Sequence, residues 1–447
     1  MSQSKSSNSR LFVWALTSAL AGFIFGFDTV VISGAEQTIQ KLWGLGDGMH
    51  GLVMSAALWG TVLGALLGGI PTDKYGRKKT LIWVGGLYLV SALASAVAPE
   101  QYTLMLARFI GGIGVGVSTV AAPLYISEIS PAEKRGRLAG MFQFNIVFGI
   151  LIAFLSNYIL GGIGENAWRL MLGIEAIPAL IYMIMCFSIP ESPRWLIGKQ
   201  GKRAEGIEIL KSIHPEYSEE QLESKADEIG SASVVTKSSA KFWTARLKIP
   251  ILLAFFIAFF NQLSGINAVL YFAPRIFEMT GLGEEAALLQ TIGIGVTNLL
   301  FTFLGLYLID RLGRRTLLYI GSLGYITSLG LCSWAFFSGN YGIVPICIFA
   351  FIASHAVGQG AVIWVFIGEI FPNQNRAHGQ ALGCSTHWVF AALLTLVFPK
   401  MVTMFSGGVV FLFFCLMMVL QLIWVKIAVP ETKGVPLEEI EGRLGMS

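Results

Sequence analysis

Charge is what this sequence has least of. Across 447 residues, Asp, Glu, Lys and Arg together supply 13% and apolar residues 54%, whereas soluble globular chains average about 25% and about 45–50%. That balance excludes an ordinary soluble protein, and so apolar a chain is not a disordered one either. The formal net charge of +4 is too small to mark a nucleic-acid binder. Cysteine is sparse: Cys186, Cys332, Cys347, Cys384 and Cys415 sit inside apolar stretches with no C-x-x-C pair, so neither a disulfide framework nor a zinc site is expected. His355 and His378 lack partners at metal spacing and are expected to be packed or surface residues. There is no G-x-x-x-x-G-K-[ST] loop, and the glycine run from Gly111 to Gly116 lies within an apolar run after Arg108, with no strand before it. Nucleotide chemistry is therefore not indicated, and no cofactor is expected. The stretch from Leu11 to Gly34 is longer than a signal-peptide core and lacks an Ala-x-Ala site near its end; it is expected to be retained.

Long apolar runs fill the sequence instead. Mean hydropathy is +0.68, and twelve runs approach the roughly 20 residues needed to cross a bilayer: about 11–34, 51–70, 80–98, 103–126, 137–160, 169–189, 248–278, 287–309, 316–338, 344–368, 380–402 and 408–428. They form two groups of six. Between the groups, 190–247 is rich in Lys, Glu and Ser, with helix-like stretches at Ala204–Ile213 and Glu219–Ile229. It reads as a solvated helical linker.

Basic residues orient the spans, because loops rich in Lys and Arg stay in the cytoplasm. Lys74, Arg77, Lys78 and Lys79 follow the second run, Lys134, Arg135 and Arg137 the fourth, and Arg311, Arg314 and Arg315 the eighth. The opposite loops hold little beyond Lys41, Arg169, Arg275 and Lys400. Both termini are thus expected in the cytoplasm, and the location is a cell membrane.

The two groups of six repeat one another about 240 residues apart. Asp73-Lys-Tyr-Gly-Arg-Lys-Lys answers to Asp310-Arg-Leu-Gly-Arg-Arg, and Glu128 with Arg135 answers to Glu369 with Arg376. Pro190-Glu-Ser-Pro-Arg194 answers to Pro430-Glu-Thr-Lys-Gly434, and Gly26-Phe-Asp28 to Gly265-Ile-Asn267. Six spans separate each pair, so the halves share a topology, the parallel repeat of carriers that bind substrate between two bundles.

These strings resemble the sugar porter branch of the major facilitator superfamily over nearly the whole chain. Asp-x2-Gly-Arg-Arg/Lys and Glu-x6-Arg are shared widely in that superfamily; Pro-Glu-Ser-Pro-Arg and Pro-Glu-Thr-Lys-Gly are narrow sugar-porter signatures. Asn261-Gln-Leu-Ser-Gly-Ile-Asn267 is similar to the family's Gln-Gln-x-x-Gly-Ile-Asn sugar-binding string. The resemblance extends to bacterial D-xylose:proton symporters and facilitative glucose transporters. It implies an all-α membrane protein of twelve helices in two six-helix bundles, 1–189 and 248–429, with the cytoplasmic linker 190–247 and a cytoplasmic tail 430–447. It also implies that Asp73, Arg77, Glu128 and Arg135, with Asp310, Arg314, Glu369 and Arg376, latch the inner ends of the bundles while the outer side is open. The alternative for each is topogenic charge in solvated pairs worth at most about 1 kcal/mol.

Ionisable residues inside a span mark functional sites by default. Asp28, Arg108 and Glu175 are of this kind. At 1.5 Å per residue, Asp28 lies roughly 25 Å up the first span, and Arg108 and Glu175 roughly 8–9 Å below the same outer surface. At one depth a carboxylate and a guanidinium neutralise each other, whereas a lone charge would be too costly to keep. The expectation is a switch in which a proton neutralises Asp28 and releases Arg108, with Glu175 tuning the exchange. A permanent ion pair orienting spans 1 and 4 is the alternative. The family's proton-coupled members carry both carboxylates, while its facilitative animal members commonly have Asn at the place of Asp28.

A sugar presents hydroxyls that donate and accept, which amides match from one side chain; its C–H faces want an aromatic plane. The chain supplies Gln143, Asn261, Gln262, Asn267, Tyr271, Asn298, Trp364, His387 and Trp388 within its spans. Gly265 and Gly360 are expected to interrupt helices beside them. The resemblance places Gln143, Gln262, Asn267, Asn298 and Trp364 at sugar-contacting positions. Interhelical hydrogen bonding is the competing role for amides, and lipid-facing or packing positions for the tryptophans. Asn261 stands where Gln is usual, Ile150 and His387 where the xylose symporters have Gln, and Ala361 where many relatives have Pro. Pentose and hexose therefore both fit. The expected function is symport of a monosaccharide and a proton by a monomer through alternating access; an uncoupled uniporter is the nearest alternative. A sugar sensor comes third and would be expected to carry long signalling tails. Gly60, Gly64 and Gly68, like Gly112 and Gly116, read as small-residue packing faces.

Overall fold

A computed structural model describes residues 2–235, 241–372, 374–435 and 437–445, and among them every regular element is helical. In hydrocarbon each backbone group must be satisfied within its own segment, so an apolar run becomes a helix. Among the described residues, twelve helices are long and apolar enough to cross a membrane. Spans 1 to 6 are Arg10–Gly34, Asp47–Leu67, Arg77–Ala96, Gln101–Ile129, Gly140–Gly161 and Ala167–Ser188; spans 7 to 12 are Ala245–Tyr271, Glu284–Leu312, Arg314–Ser338, Tyr341–Glu369, Arg376–Met404 and Gly407–Ala428. Large apolar side chains such as Ile70, Leu106, Leu300, Leu323, Ile346 and Ile427 are more than half exposed, which in a membrane protein is the surface that meets lipid.

Within the first bundle, glycines let spans 2 and 4 approach backbone to backbone. Gly60 faces the carbonyl of Phe109, Gly64 that of Ile113, Gly112 that of Ala57 and Gly116 that of Thr61, each with no room for a Cβ. Such contacts replace the hydrophobic drive that lipid removes.

Three spans are interrupted. Span 7 is a helix Lys248–Leu263, then Ile266–Tyr271, with Ala273–Glu278 continuing it. Gly265 sits in the left-handed region at φ +89°, which only glycine adopts without strain. Span 10 breaks between Val344–Val357 and Gln359–Glu369. The break falls at Gly358, not at the expected Gly360. Gly360 instead continues the second helix and lies against the backbone and ring of His355. Span 6 is interrupted at Ile174 and Glu175, between helices Ala167–Gly173 and Ala176–Ser188.

The linker forms helices Pro193–Gly198, Arg203–Ile213 and Glu219–Val235, the last two overlapping the stretches expected from sequence. They lie at the end of the molecule that carries the basic loops, where the Trp195 indole N–H donates to the Asp73 carbonyl at 2.8 Å.

The apolar core shows which end is closed. One cluster at the end opposite the basic loops runs across both bundles, from Phe27, Ile39, Leu104 and Trp168 to Ile276, Phe277, Val344 and Phe398. Toward the basic end it divides: one cluster belongs to the first bundle, around Ala15, Leu81, Tyr125 and Ile129, and another to the second, around Ile257, Leu317, Phe366 and Val425. The bundles are fused at one end and separate at the other.

Candidate functional site

Asp28 near the far end of span 1 and Arg108 of span 4 meet inside the first bundle, each side chain no more than 3% exposed. Arg108 Nη1 donates to Asp28 Oδ1 at 2.5 Å, and Nη2 donates to the Asp28 carbonyl oxygen at 2.8 Å. Glu175, 2% exposed in the break of span 6, lies near enough to interact with both Asp28 and Arg108. The three residues that depth alone aligned come together. Tyr88 of span 3, whose hydroxyl pairs with Ser118 Oγ at 3.1 Å, borders the same two carboxyls.

A second cluster gathers on span 7 and its neighbours. The Gln262 side-chain N–H donates to Asn261 Oδ1 at 2.8 Å, and Asn267 Nδ2 donates to Gln262 Oε1 at 2.6 Å. Gln262 Nε2 also reaches the His387 ring at 3.1 Å. His387 stands between aromatics, its ring 5.2 Å from that of Trp364 and 4.8 Å from that of Trp388. Trp388 is buried and touches Phe25 of the other bundle, ring centres 5.5 Å apart; neither tryptophan takes the lipid-facing alternative. The bend at Gly265 is what aims Gln262 and Asn267, five residues apart, at one point. Gln143 and Asn298 make no hydrogen bond to this cluster among the described residues. Both are half-buried, on spans 5 and 8, which pack against each other across the bundle boundary, Phe144 against Phe303 and Gly295 against Leu151.

Tyr271 links the two clusters. It lies on the same short helix as Asn267, is 1% exposed, and faces Arg108 and Asp28 of the other bundle closely enough to feel both charges. The helix that carries the amides thus also lies within electrostatic reach of the buried ion pair.

At the basic end, where the bundles are apart, the motif residues pair within each bundle. Arg77 donates from Nε and Nη2 to the Glu128 carboxylate at 2.8 and 2.9 Å, and from Nη1 to Asp73 at 3.3 Å. Arg314 repeats this with Glu369 at 3.0 and 2.8 Å and with Asp310 at 3.2 Å. The two-point Arg–Glu forks are buried enough to matter, whereas Asp73 and Asp310 are 54% and 80% exposed and contribute little. Arg376 is exposed, and the side chain of Arg135 lies outside the described residues. Two carboxylates that the motifs did not single out complete each network. Glu191 accepts from the backbone N–H groups of Arg77, Lys78 and Ser192, and Glu431 from those of Arg314, Arg315, Thr432 and Lys433. Burial pushes the Glu191 carboxyl up from its usual range while those N–H donors and Arg77 pull it back. The signal was present: Glu is the shared second residue of the two Pro-Glu strings.

The geometry agrees with comparisons to known proteins. Residues 14–444 match the family model described as "Sugar (and other) transporter". The D-xylose-proton symporter of Escherichia coli (strain K12) is 32% identical, with 97% of this chain and 96% of that protein covered. The glucose transporter GlcP of Staphylococcus epidermidis is 34% identical, with 95% of each covered. Among solved structures, the inward open conformation of the xylose transporter XylE from E. coli superimposes with a TM-score of 0.85 at 31% identity, covering 97% of this chain and 99% of that one. Twelve membrane helices in a repeated arrangement, a buried charge cluster beside an amide cluster, and similarity along nearly the full length lead to one conclusion: the chain belongs to the sugar transporter family, as a multi-pass membrane carrier of the major facilitator superfamily and not an enzyme.

Proposed function

We propose that this protein is a proton-coupled monosaccharide symporter, taking a sugar of the D-xylose or D-glucose class by alternating access, with the proton as coupling ion and no cofactor. The observation that carries the reading is the span 7 helix Ile266–Tyr271, which bears Asn267 of the amide cluster and, one turn on, Tyr271 against Asp28 and Arg108. Sugar and proton then act on one helix. Asp28 and Glu175 are both buried beside the single guanidinium of Arg108, and two buried carboxylates sharing one cation are charge-balanced only when one of them carries a proton. One proton makes the trio neutral with Arg108; a second displaces Arg108 from Asp28. Gln262, Asn267, Asn261 and His387 bind sugar hydroxyls, Trp364 and Trp388 offer planes to the ring, Gln143 and Asn298 add amides from spans 5 and 8, and Tyr271 adds a hydroxyl from the same helix as Asn267.

The basic end is cytoplasmic under the positive-inside rule, which puts both termini inside a cell membrane. The bundles are then closed outside and parted inside, in keeping with the likeness to the inward open conformation of XylE. The carrier works as a monomer, because the site lies within one chain. The relatives named for xylose and for glucose support the substrate class. The test is counterflow and accumulation in proteoliposomes with labelled pentoses and hexoses, with and without a pH gradient. Accumulation driven by external acid supports symport; equilibration without accumulation, unaffected by the gradient, refutes it in favour of uniport.

A further inference from the structure

The loop between spans 1 and 2 contains a short helix, Glu36–Leu42, at the end where the bundles are fused. Glu36 is wholly buried, 0% exposed, a position glutamate holds only when paired. Its carboxylate accepts from Arg275 Nε at 2.8 Å and Nη2 at 2.6 Å, and it lies 2.7 Å from Nε2 of His50, itself 0% exposed. Arg275 Nη2 also donates to Gln40 Oε1 at 2.5 Å. Glu36, Gln40 and His50 belong to the first bundle; Arg275 belongs to Ala273–Glu278, the outer continuation of span 7. A two-point guanidinium–carboxylate fork therefore crosses the bundle boundary. Around it, His50 meets Phe272 edge-on at 6.2 Å, and Gly51 lies against the Leu396 carbonyl with no room for a Cβ.

The pairing has a symmetry behind it. Glu36 and Arg275 are 239 residues apart, the same offset that relates Asp28 to Asn267 in the repeated Gly-x-Asp/Asn string. In a parallel repeat whose axis runs along the membrane normal, equivalent positions near that axis face each other. Here one repeat carries an acid and the other a base, so self-facing positions become a bond.

We propose that Glu36 and Arg275, braced by His50 and Gln40, are the lock of the outer gate: a pair of positioning residues that hold the carrier closed to the outside. Opening that end moves the two bundles apart, and a fork with bonds of 2.6 and 2.8 Å cannot survive the separation. The lock thus sets the balance between inward- and outward-facing states and the rate of the return step, without touching the sugar amides. The inference rests on the alternating-access reading but not on proton coupling.

The experiment places spin labels at Leu42→Cys and Glu285→Cys, both exposed, on opposite bundles and outside the lock, in protein with Cys384→Ser, and measures their distance distribution in lipid nanodiscs by pulsed electron resonance. Removing a charge-assisted fork corresponds to about a tenfold shift in a two-state equilibrium, or more. Glu36→Gln and Arg275→Gln are each expected to move population to a longer distance. The double variant is expected to move it no further than the larger single, because both remove one bond. Arg275→Lys, which keeps the charge but loses the fork, falls between wild type and Arg275→Gln and serves if the neutral variants fold poorly. Unchanged distances in all variants, or additive shifts, overturn the lock. Either result leaves the symport reading standing, since wild-type accumulation is measured independently.

Discussion

Replacing Asp28 by Asn is the most direct perturbation of the transport cycle. Asn is close to the shape of a protonated Asp and keeps the backbone carbonyl that Arg108 Nη2 contacts at 2.8 Å, but it removes the charge facing Nη1. Breaking a buried pair by deleting one partner costs about 3–5 kcal/mol when the remaining charge is left alone. Arg108 is not left alone, because the Glu175 carboxyl lies near it. The expected cost is therefore below that range, about 1–3 kcal/mol, and the protein folds with a lowered Tm. Function separates from stability. A pH difference of one unit supplies about 1.36 kcal/mol per proton, which in a one-to-one symporter drives about tenfold accumulation. In proteoliposomes acidified outside by one unit, wild type is expected to approach that ratio. Asp28→Asn is expected to equilibrate sugar to a ratio of about one while retaining counterflow, since the amide cluster on span 7 is intact. Accumulation by Asp28→Asn equal to wild type refutes the coupling argument and leaves Asp28–Arg108 as a structural pair.

Three further outcomes follow from the geometry. Gln262→Ala and Asn267→Ala each remove groups that bond one another at 2.6 Å and are expected to raise the KM for sugar by about tenfold or more, with the accumulation ratio at saturating sugar unchanged; an unaltered KM in initial-rate uptake places the sugar elsewhere. Arg77→Gln, which breaks the fork to Glu128, is expected to lower thermal stability by about 2–4 kcal/mol in a melting assay, whereas Asp73→Asn, at an exposed position, changes it by less than about 1 kcal/mol; equal effects contradict the ranking. Gly112→Val forces spans 2 and 4 apart, because a Cβ there meets the Ala57 carbonyl, and is expected to abolish recovery of monodisperse protein on size exclusion, while Gly140→Ala, where nothing lies within reach of a Cβ, is expected to behave as wild type.

Much of this is legible in the amino-acid sequence. Twelve apolar runs and a repeat of four strings specify two bundles of six, because bilayer thickness dictates the length of a span and parallel duplication dictates its topology. Asp28, Arg108 and Glu175 were aligned by depth alone, since helical rise converts residue number directly to height. The amides of Asn261, Gln262 and Asn267 are marked by their likeness to the family's Gln-Gln-x-x-Gly-Ile-Asn string. What sequence did not show are contacts set by rotation about helix axes and by where helices bend. The break of span 10 falls at Gly358, because Gly360 is packed against His355, and either glycine satisfies a pattern. The resemblance puts Gln143 and Asn298 beside Gln262 at sugar-contacting positions, yet neither hydrogen-bonds the span 7 amides among the described residues. Glu191 and Glu431, the shared Glu of the two Pro-Glu strings, close the basic-end networks through backbone N–H groups; the strings mark the residues but not these partners.

Sequence by itself thus determined the solvent, the number of spans, the duplication and the height of each buried charge, because each follows from composition or from counting along a helix. Tertiary structure alone decided who touches whom: that the forks at the basic end stay within each bundle, that Tyr271 reaches Asp28 and Arg108, and that Glu36 meets Arg275 across the boundary. The reason is that rise along a helix is fixed by the backbone, whereas the direction in which a side chain points depends on how neighbouring helices pack.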